Sequence, residues 1–372
     1  MRQASLILIY LLCYSLLIKA QESNQTKIND CKEVGSINAR LGPIRDQNNV
    51  GWCFANTAAD LLTYAHYESL QKANPSNPTP EDLQVSGIFA ALHYYNSEIK
   101  NLNRLSDIFS TGGFILKTIS VVQESGFVCP QSLDTNLIGS GLKLGLKEKF
   151  YVFNRLYNLY NQINDNSGVG NIEMIQSKKI DFDNLMAELK TSNSLISHLT
   201  AEEFKQILTT KTFDQAAMKM SEVLCGQTKV PLNKKVNFEE YNRYTSDKMF
   251  FYNSRDKSKI SEEQTLKEID FILDHEKPVG LSYQVDSVLN EPKVASENHA
   301  SVISGRKMIN GQCHYQIRNS WGGRCTGDFE INNKLYKNHQ IYKYLCEKGT
   351  FWIPREDLKK ISEGFIYDSS DF

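Results

Sequence analysis

Cys53 stands where a loop broken by Pro43, Asn48, Asn49 and Gly51 meets a run rich in alanine and leucine (Ala55, Ala58, Ala59, Leu61, Leu62, Ala65). That run has no proline or glycine and predicts a largely buried helix starting at Cys53. A thiol in a helix's first turn meets unpaired N–H groups and the positive end of the dipole, and both favour the thiolate. A structural cysteine capping a core helix fits the same segment equally well. A second segment, 298–323, reads NHASVISGRKMINGQCHYQIRNSWGG. His299 opens an apolar stretch ending at Gly305, Asn310-Gly311 marks a tight turn, and Cys313 to Arg318 reads as a return strand. The hairpin places His299 and Asn319 at neighbouring strand ends. A cysteine nucleophile needs an imidazole within hydrogen-bond reach and a third group on the other ring nitrogen. Asn319 can fill that third place through its side-chain oxygen.

The cysteine count points the same way. Met1-Arg2, an apolar run from Ala4 to Ile18, and Lys19-Ala20 read as a signal peptide over 1–20, with an uncleaved anchor as the competing reading. Export places the remaining cysteines in an oxidising compartment. Cys13 leaves with the signal, and Cys31, Cys53, Cys129, Cys225, Cys313, Cys325 and Cys346 remain. An odd count predicts three disulfides and one thiol with its own task, although a buried inert cysteine or an intermolecular link also fits. The pairing does not follow from sequence.

Apolar residues make up 41% of the 372 positions and charged residues 23%, enough for one large core or two modest ones. With 42 Lys and Arg against 43 Asp and Glu, the net charge of −1 gives no general attraction to nucleic acid or an anionic membrane. The other histidines (His66, His93, His198, His275, His314, His339) lack metal-ligand spacing, so no metal or cofactor is expected. Asn24-Gln25-Thr26 is a formal glycosylation sequon.

Gln47 six positions before Cys53, Asn298-His299-Ala300, and Asn319-Ser320-Trp321-Gly322 together resemble the papain/cathepsin family of cysteine proteases. The resemblance implies a two-lobed α+β fold: a helical left lobe carrying the nucleophile helix and an antiparallel, barrel-like right lobe. It implies Cys53 as nucleophile, His299 as base, Asn319 as the group orienting it, and Gln47 as the oxyanion-hole amide. Trp321 would shield the His–Asn bond from water. Gly112-Gly113 is similar to the family's glycine pair that binds substrate backbone, a place where side chains would block the peptide; an ordinary turn is the plainer reading. Phe114, Ile115 and Ala300 fall where the family builds its apolar S2 pocket. Pro278-Val279-Gly280-Leu281, after a helix with Leu266, Ile269, Phe271 and Ile272, resembles the entry to the right lobe.

The chain also departs from the family. Phe54 replaces the usual tryptophan, and Val50 and Ser110 stand where the family has a disulfide. His299 stands 246 positions after Cys53, against roughly 130–150 in the family. The excess is expected as a partly helical insertion over 137–259, between a left lobe over 21–136 and a right lobe over 260–372. Within it, Thr200 to Glu203 reads as a capping box and a second helix starts near Asp214, with a small core of their own. No room for an inhibitory pro-domain is evident between Ala20 and Gly42. Cys325 and Cys346 flank an apparent insertion, and the tail after Trp352 is expected as a strand, a short helix and a polar terminus. The resemblance implies an exported, monomeric endopeptidase acting on peptide or protein substrates, secreted or periplasmic and without stable membrane association. A non-catalytic peptide-binding relative, and an acyl transferase using the same thiolate, are the competing readings.

Overall fold

The Trp52 carbonyl starts the first long helix by accepting from the Asn56 backbone N–H at 3.0 Å and from Asn56 Nδ2 at 2.9 Å. In this computed structural model, which describes residues 31–47, 51–73, 84–98, 112–131, 134, 187, 200–232, 236–242, 261–290, 298–331 and 334–370, that helix (α2) spans Cys53–Ala73 after a short α1, Ile37–Arg40. The expectations for residues 1–20, the sequon, positions 50 and 110, and most of 137–199 lie outside the described residues.

The alanine-rich face of α2 lets two helices approach closely, α3 (Gly87–Glu98) and α4 (Ile115–Ser125). Gly87 is needed at that contact, because a Cβ there would lie 2.5 Å from Asn56 Oδ1. Thr200 and Glu203 form the expected reciprocal cap, with Thr200 Oγ1 accepting from the Glu203 N–H at 3.2 Å. It starts α5 (Ala201–Leu208), and α6 follows over Phe213–Cys225. Their aliphatics do not form a separate small core. Ile207, Ala216, Ala217 and Met220 join the cluster built by α2, α3 and α4, and a Cys129–Cys225 disulfide fastens the end of α6 to that lobe. The short strands β1 (Phe127–Val128) and β2 (Val230–Pro231) pair beside it.

The second core lies under an antiparallel sheet of seven strands among the described residues, ordered β3-β11-β4-β5-β6-β10-β9. These are β3 (Phe238–Asn242), β4 (Val279–Gln284), β5 (Asn298–Ile309), β6 (Gln312–Arg318), β9 (Leu345–Glu347), β10 (Thr350–Pro354) and β11 (Ser362–Asp368). The β5–β6 turn falls on Asn310 and Gly311, with φ of 50° and 76°, the left-handed pair such a turn demands. Helix α7 (Glu262–Asp274) buries Leu266, Ile269, Ile272 and Leu273 against this sheet, while Phe271 faces out, 47% exposed. After α8 (Arg355–Ile361) the tail does not end as a polar terminus. Its Phe365 and Ile366 are buried, and the segment enters the sheet between β3 and β4. The hairpin of β7 (Thr326–Ile331) and β8 (Lys334–Gln340) is closed by Cys325–Cys346, and Cys31–Cys313 ties the start of the described chain to β6. The fold is thus mixed α and β, a helical lobe against an antiparallel-sheet lobe.

The lobes meet where α2 packs across β4, β5 and β11. A Cβ on Gly280 would lie 2.5 Å from Ile366 and 3.0 Å from Leu61, so glycine in β4 lets the helix sit this close.

Candidate active site

Two stretches from opposite ends of the sequence form an antiparallel bridge at the seam. The Gln47 N–H donates to the Ser320 carbonyl at 2.7 Å, and the Gly322 N–H donates to the Arg45 carbonyl at 2.8 Å. Each side chain aimed into the site comes from the end of a rigid element: Cys53 from the first turn of α2, His299 from the start of β5, Asn319 from the residue after β6.

His299 is buried, and its Nε2 lies 2.8 Å from Asn319 Oδ1. The same oxygen accepts from the Ser320 N–H at 2.8 Å and from the Ser301 hydroxyl at 3.3 Å. Asn319 Nδ2 donates to the Tyr342 hydroxyl at 3.0 Å, which fixes the orientation of the amide. An amide oxygen only accepts, so Nε2 carries the ring proton and Nδ1 is the basic nitrogen. Ser301 spends its one proton on Asn319, so the Tyr283 hydroxyl is the donor in its 3.0 Å contact with Ser301 Oγ. Tyr283 stands edge-on to the His299 ring at 5.5 Å, and Trp321 packs on it at 4.9 Å while stacking with Tyr342. This aromatic enclosure excludes water and strengthens the polar contacts within it. Burial pushes the imidazole down to about 4, and the Asn319 hydrogen bond works in the opposite direction.

Cys53 is half-buried and lies outside the three disulfides. It lies near enough to Tyr95 and Tyr283 that its charge adds to the burial pushing both hydroxyls up. Tyr283 stands edge-on to His299, so one tyrosine neighbours the imidazole and feels the thiol. Gln47 is buried, and its Oε1 accepts from the Ser320 hydroxyl, which turns the Nε2 end away from Ser320. The four residues singled out for chemistry thus come to one seam.

The residues expected to bind substrate divide. Phe114 is 40% exposed, whereas Ile115 and Ala300 are buried in one apolar cluster that Cys53 packs against. Gly112 is open, with nothing near a notional Cβ. At Gly113 a Cβ would lie 2.5 Å from the Phe54 ring, so packing next to Cys53 already requires that glycine. Trp321 packs on the imidazole and on Tyr342. Sequence reading missed Ser301, Ser320, Tyr283 and Tyr342. Ser301 had a signal, since two residues after His299 on a strand it shares that residue's face. Tyr342, 23 residues beyond Asn319, had none.

No family model matches the chain, and no curated protein does either. Among solved structures, SERA5E from Plasmodium falciparum is 11% identical with a TM-score of 0.41, over 90% of this chain and 93% of that one. A recombinant stem bromelain precursor is 12% identical with a TM-score of 0.41, over 93% and 73%. The bromelain protease from Ananas comosus, in complex with the E64 inhibitor, is 11% identical with a TM-score of 0.38, over 88% and 94%. At these values the likenesses carry no functional argument.

Proposed function

We propose that this chain is an exported papain-like cysteine endopeptidase that hydrolyses peptide bonds through a thioester on Cys53. The observation that carries the reading is the buried His299 Nε2–Asn319 Oδ1 hydrogen bond of 2.8 Å, with a thiol at the start of a helix packing against the cluster that holds the adjacent Ala300. That bond fixes the tautomer a general base needs. Three disulfides suit an oxidising compartment, and among the described residues no helix is long and apolar enough to cross a membrane.

In the reaction His299 Nδ1 takes the Cys53 proton and the sulfur attacks the scissile carbonyl. The Gln47 side-chain amide and the Cys53 backbone N–H hold the oxyanion. Burial disfavours a lone imidazolium, so the charged ring persists only beside the thiolate or the oxyanion. His299 then protonates the leaving amine, the C–N bond breaks, and a thioester remains. Water, deprotonated by His299, attacks the thioester; the acid leaves and the proton returns to sulfur. The exposed Phe114 ring would favour an apolar P2 residue. The test is cleavage of fluorogenic dipeptides with Phe, Leu or Val at P2. Turnover by wild type and none by Cys53→Ser is expected; equal turnover by both, or none by either, contradicts the reading.

A further inference from the structure

Beneath the seam lies a charge group that no step above uses. Asp60 Oδ1 accepts from Arg45 Nε at 2.5 Å and Asp60 Oδ2 accepts from Arg318 Nε at 2.8 Å. All three residues are at most 5% exposed. The remaining guanidinium donors mostly hold backbone, with Arg45 Nη2 donating to Thr63 Oγ1 at 3.2 Å and Arg318 Nη1 to Asn38 Oδ1 at 3.2 Å as the side-chain contacts. Arg45 Nη1 donates to the Val85 carbonyl at 2.5 Å, and Arg318 Nη1 donates to the Gly42 carbonyl at 3.0 Å. Arg318 Nη2 also donates to the Pro43 carbonyl.

The positions of the three in the chain give the group its meaning. Asp60 is seven residues beyond Cys53, two turns along the same face of α2. Arg45 is two residues before Gln47 on the extended seam segment, and Arg318 immediately precedes Asn319. One carboxylate on the nucleophile helix therefore holds the stretch carrying Gln47 and the stretch carrying Asn319. Taking three charges out of water is expensive, and apolar residues of similar size would hold a seam as well or better. What they would not supply is the fixed fork geometry with which arginine sets a register.

We infer that Asp60 is a positioning residue: through Arg45 and Arg318 it sets where Gln47 and Asn319 stand relative to Cys53. The inference rests on the peptidase reading of the site, and its two arms are distinguishable. The Arg45 arm governs the oxyanion side and the Arg318 arm the imidazole side.

The test uses the full chain and two readouts, dipeptide turnover and the rate of Cys53 alkylation by iodoacetamide across pH. Alkylation needs the imidazole but no oxyanion hole. Arg45→Met is expected to lower kcat by about 10- to 100-fold, the effect of a misplacement of about 1 Å, with KM and the alkylation profile unchanged. In a Gln47→Ala background it should cost nothing further. Arg318→Met is expected to slow alkylation and shift its pH profile, with no further effect in an Asn319→Ala background. Should either methionine variant fail to fold, Arg45→Lys and Arg318→Lys, which keep the charge but lose the fork, are read in the same way. Effects that simply multiply in the paired backgrounds, or variants that lower Tm while leaving both readouts at wild-type values, overturn the inference. If wild type cleaves no peptide, the peptidase reading fails, and the Arg318 alkylation arm still decides the positioning role.

Discussion

At the scale of single residues, the proposed mechanism has Asn319 and Gln47 act through geometry and Cys53 through reactivity, so their losses should differ in kind. Gln47→Ala removes one oxyanion donor and is expected to lower kcat by about 100-fold, with Cys53 alkylation unchanged; an equal fall in both would place Gln47 elsewhere in the mechanism. Burial holds His299 down to about 4, so the basic ring persists in mild acid. The acid limb of kcat/KM is therefore expected well below the ordinary histidine value of 6.5. Asn319→Ala removes the bond that favours the charged ring, so the limb should move lower still as the plateau drops. A limb at 6.5 in both proteins would contradict this. The positions of Cys53, His299 and Asn319 were legible because each sits beside a local signal: a helix start, a strand start, a strand end. Their supporters were not. Tyr283 meets Ser301 only because β4 pairs with β5, opposing Tyr283 to His299, and pairing of strands separated by 13 positions leaves no mark on either segment.

At the scale of elements, two adjacent glycines separate packing from binding. Gly113→Ala drives a Cβ to 2.5 Å from the buried Phe54 ring, and overpacking of that kind costs about 1–3 kcal/mol. Gly112→Ala meets nothing, so stability should hold; if Gly112 borders the extended substrate, KM should rise. Urea midpoints and KM measured on both variants check the pair, and the reverse pattern would mean that Gly112 is the packing residue. Helices and the hairpin were readable from composition, capping and turn residues, as Thr200 with Glu203 and Asn310-Gly311 demonstrate. Where an element packs was less readable. An amphipathic helix states that it has an apolar face and not which partner covers it, so α5 and α6 read as a separate core although they complete the helical lobe. The polar ending Asp368–Phe372 hid the buried Phe365 and Ile366 that carry β11 into the sheet.

At the scale of the whole molecule, titratable groups are buried both at the seam, as His299 is, and inside the helical lobe, as His93 is, where Asp134 accepts from the Gly87 N–H at the start of α3. His93, packed against Phe89 and Phe127, is pushed by burial to about 4, as His299 is. In the unfolded chain both imidazoles protonate near 6.5. Between about 6.5 and 4 the unfolded chain therefore binds more protons, and stability falls as pH drops through that window. Burial also lowers His66, which adds to the same trend; burial pushes Asp134 up to about 6, which works in the opposite direction over the same window, so three imidazoles oppose one carboxyl. Tm is expected to fall from pH 6.5 to 4, with a shallower slope in His93→Phe; a Tm that rises over that range would contradict the assignment. The central claim, a thiolate peptidase centred on Cys53, has its most direct test in titrating the folded protein with an epoxide thiol reagent under mild reducing conditions. Modified residues are mapped while dipeptide cleavage is followed in the same samples. Label is expected to enter Cys53 at one equivalent, with cleavage disappearing in proportion. Cleavage that survives complete labelling of Cys53, or a Cys53 that resists labelling in folded protein, would contradict it.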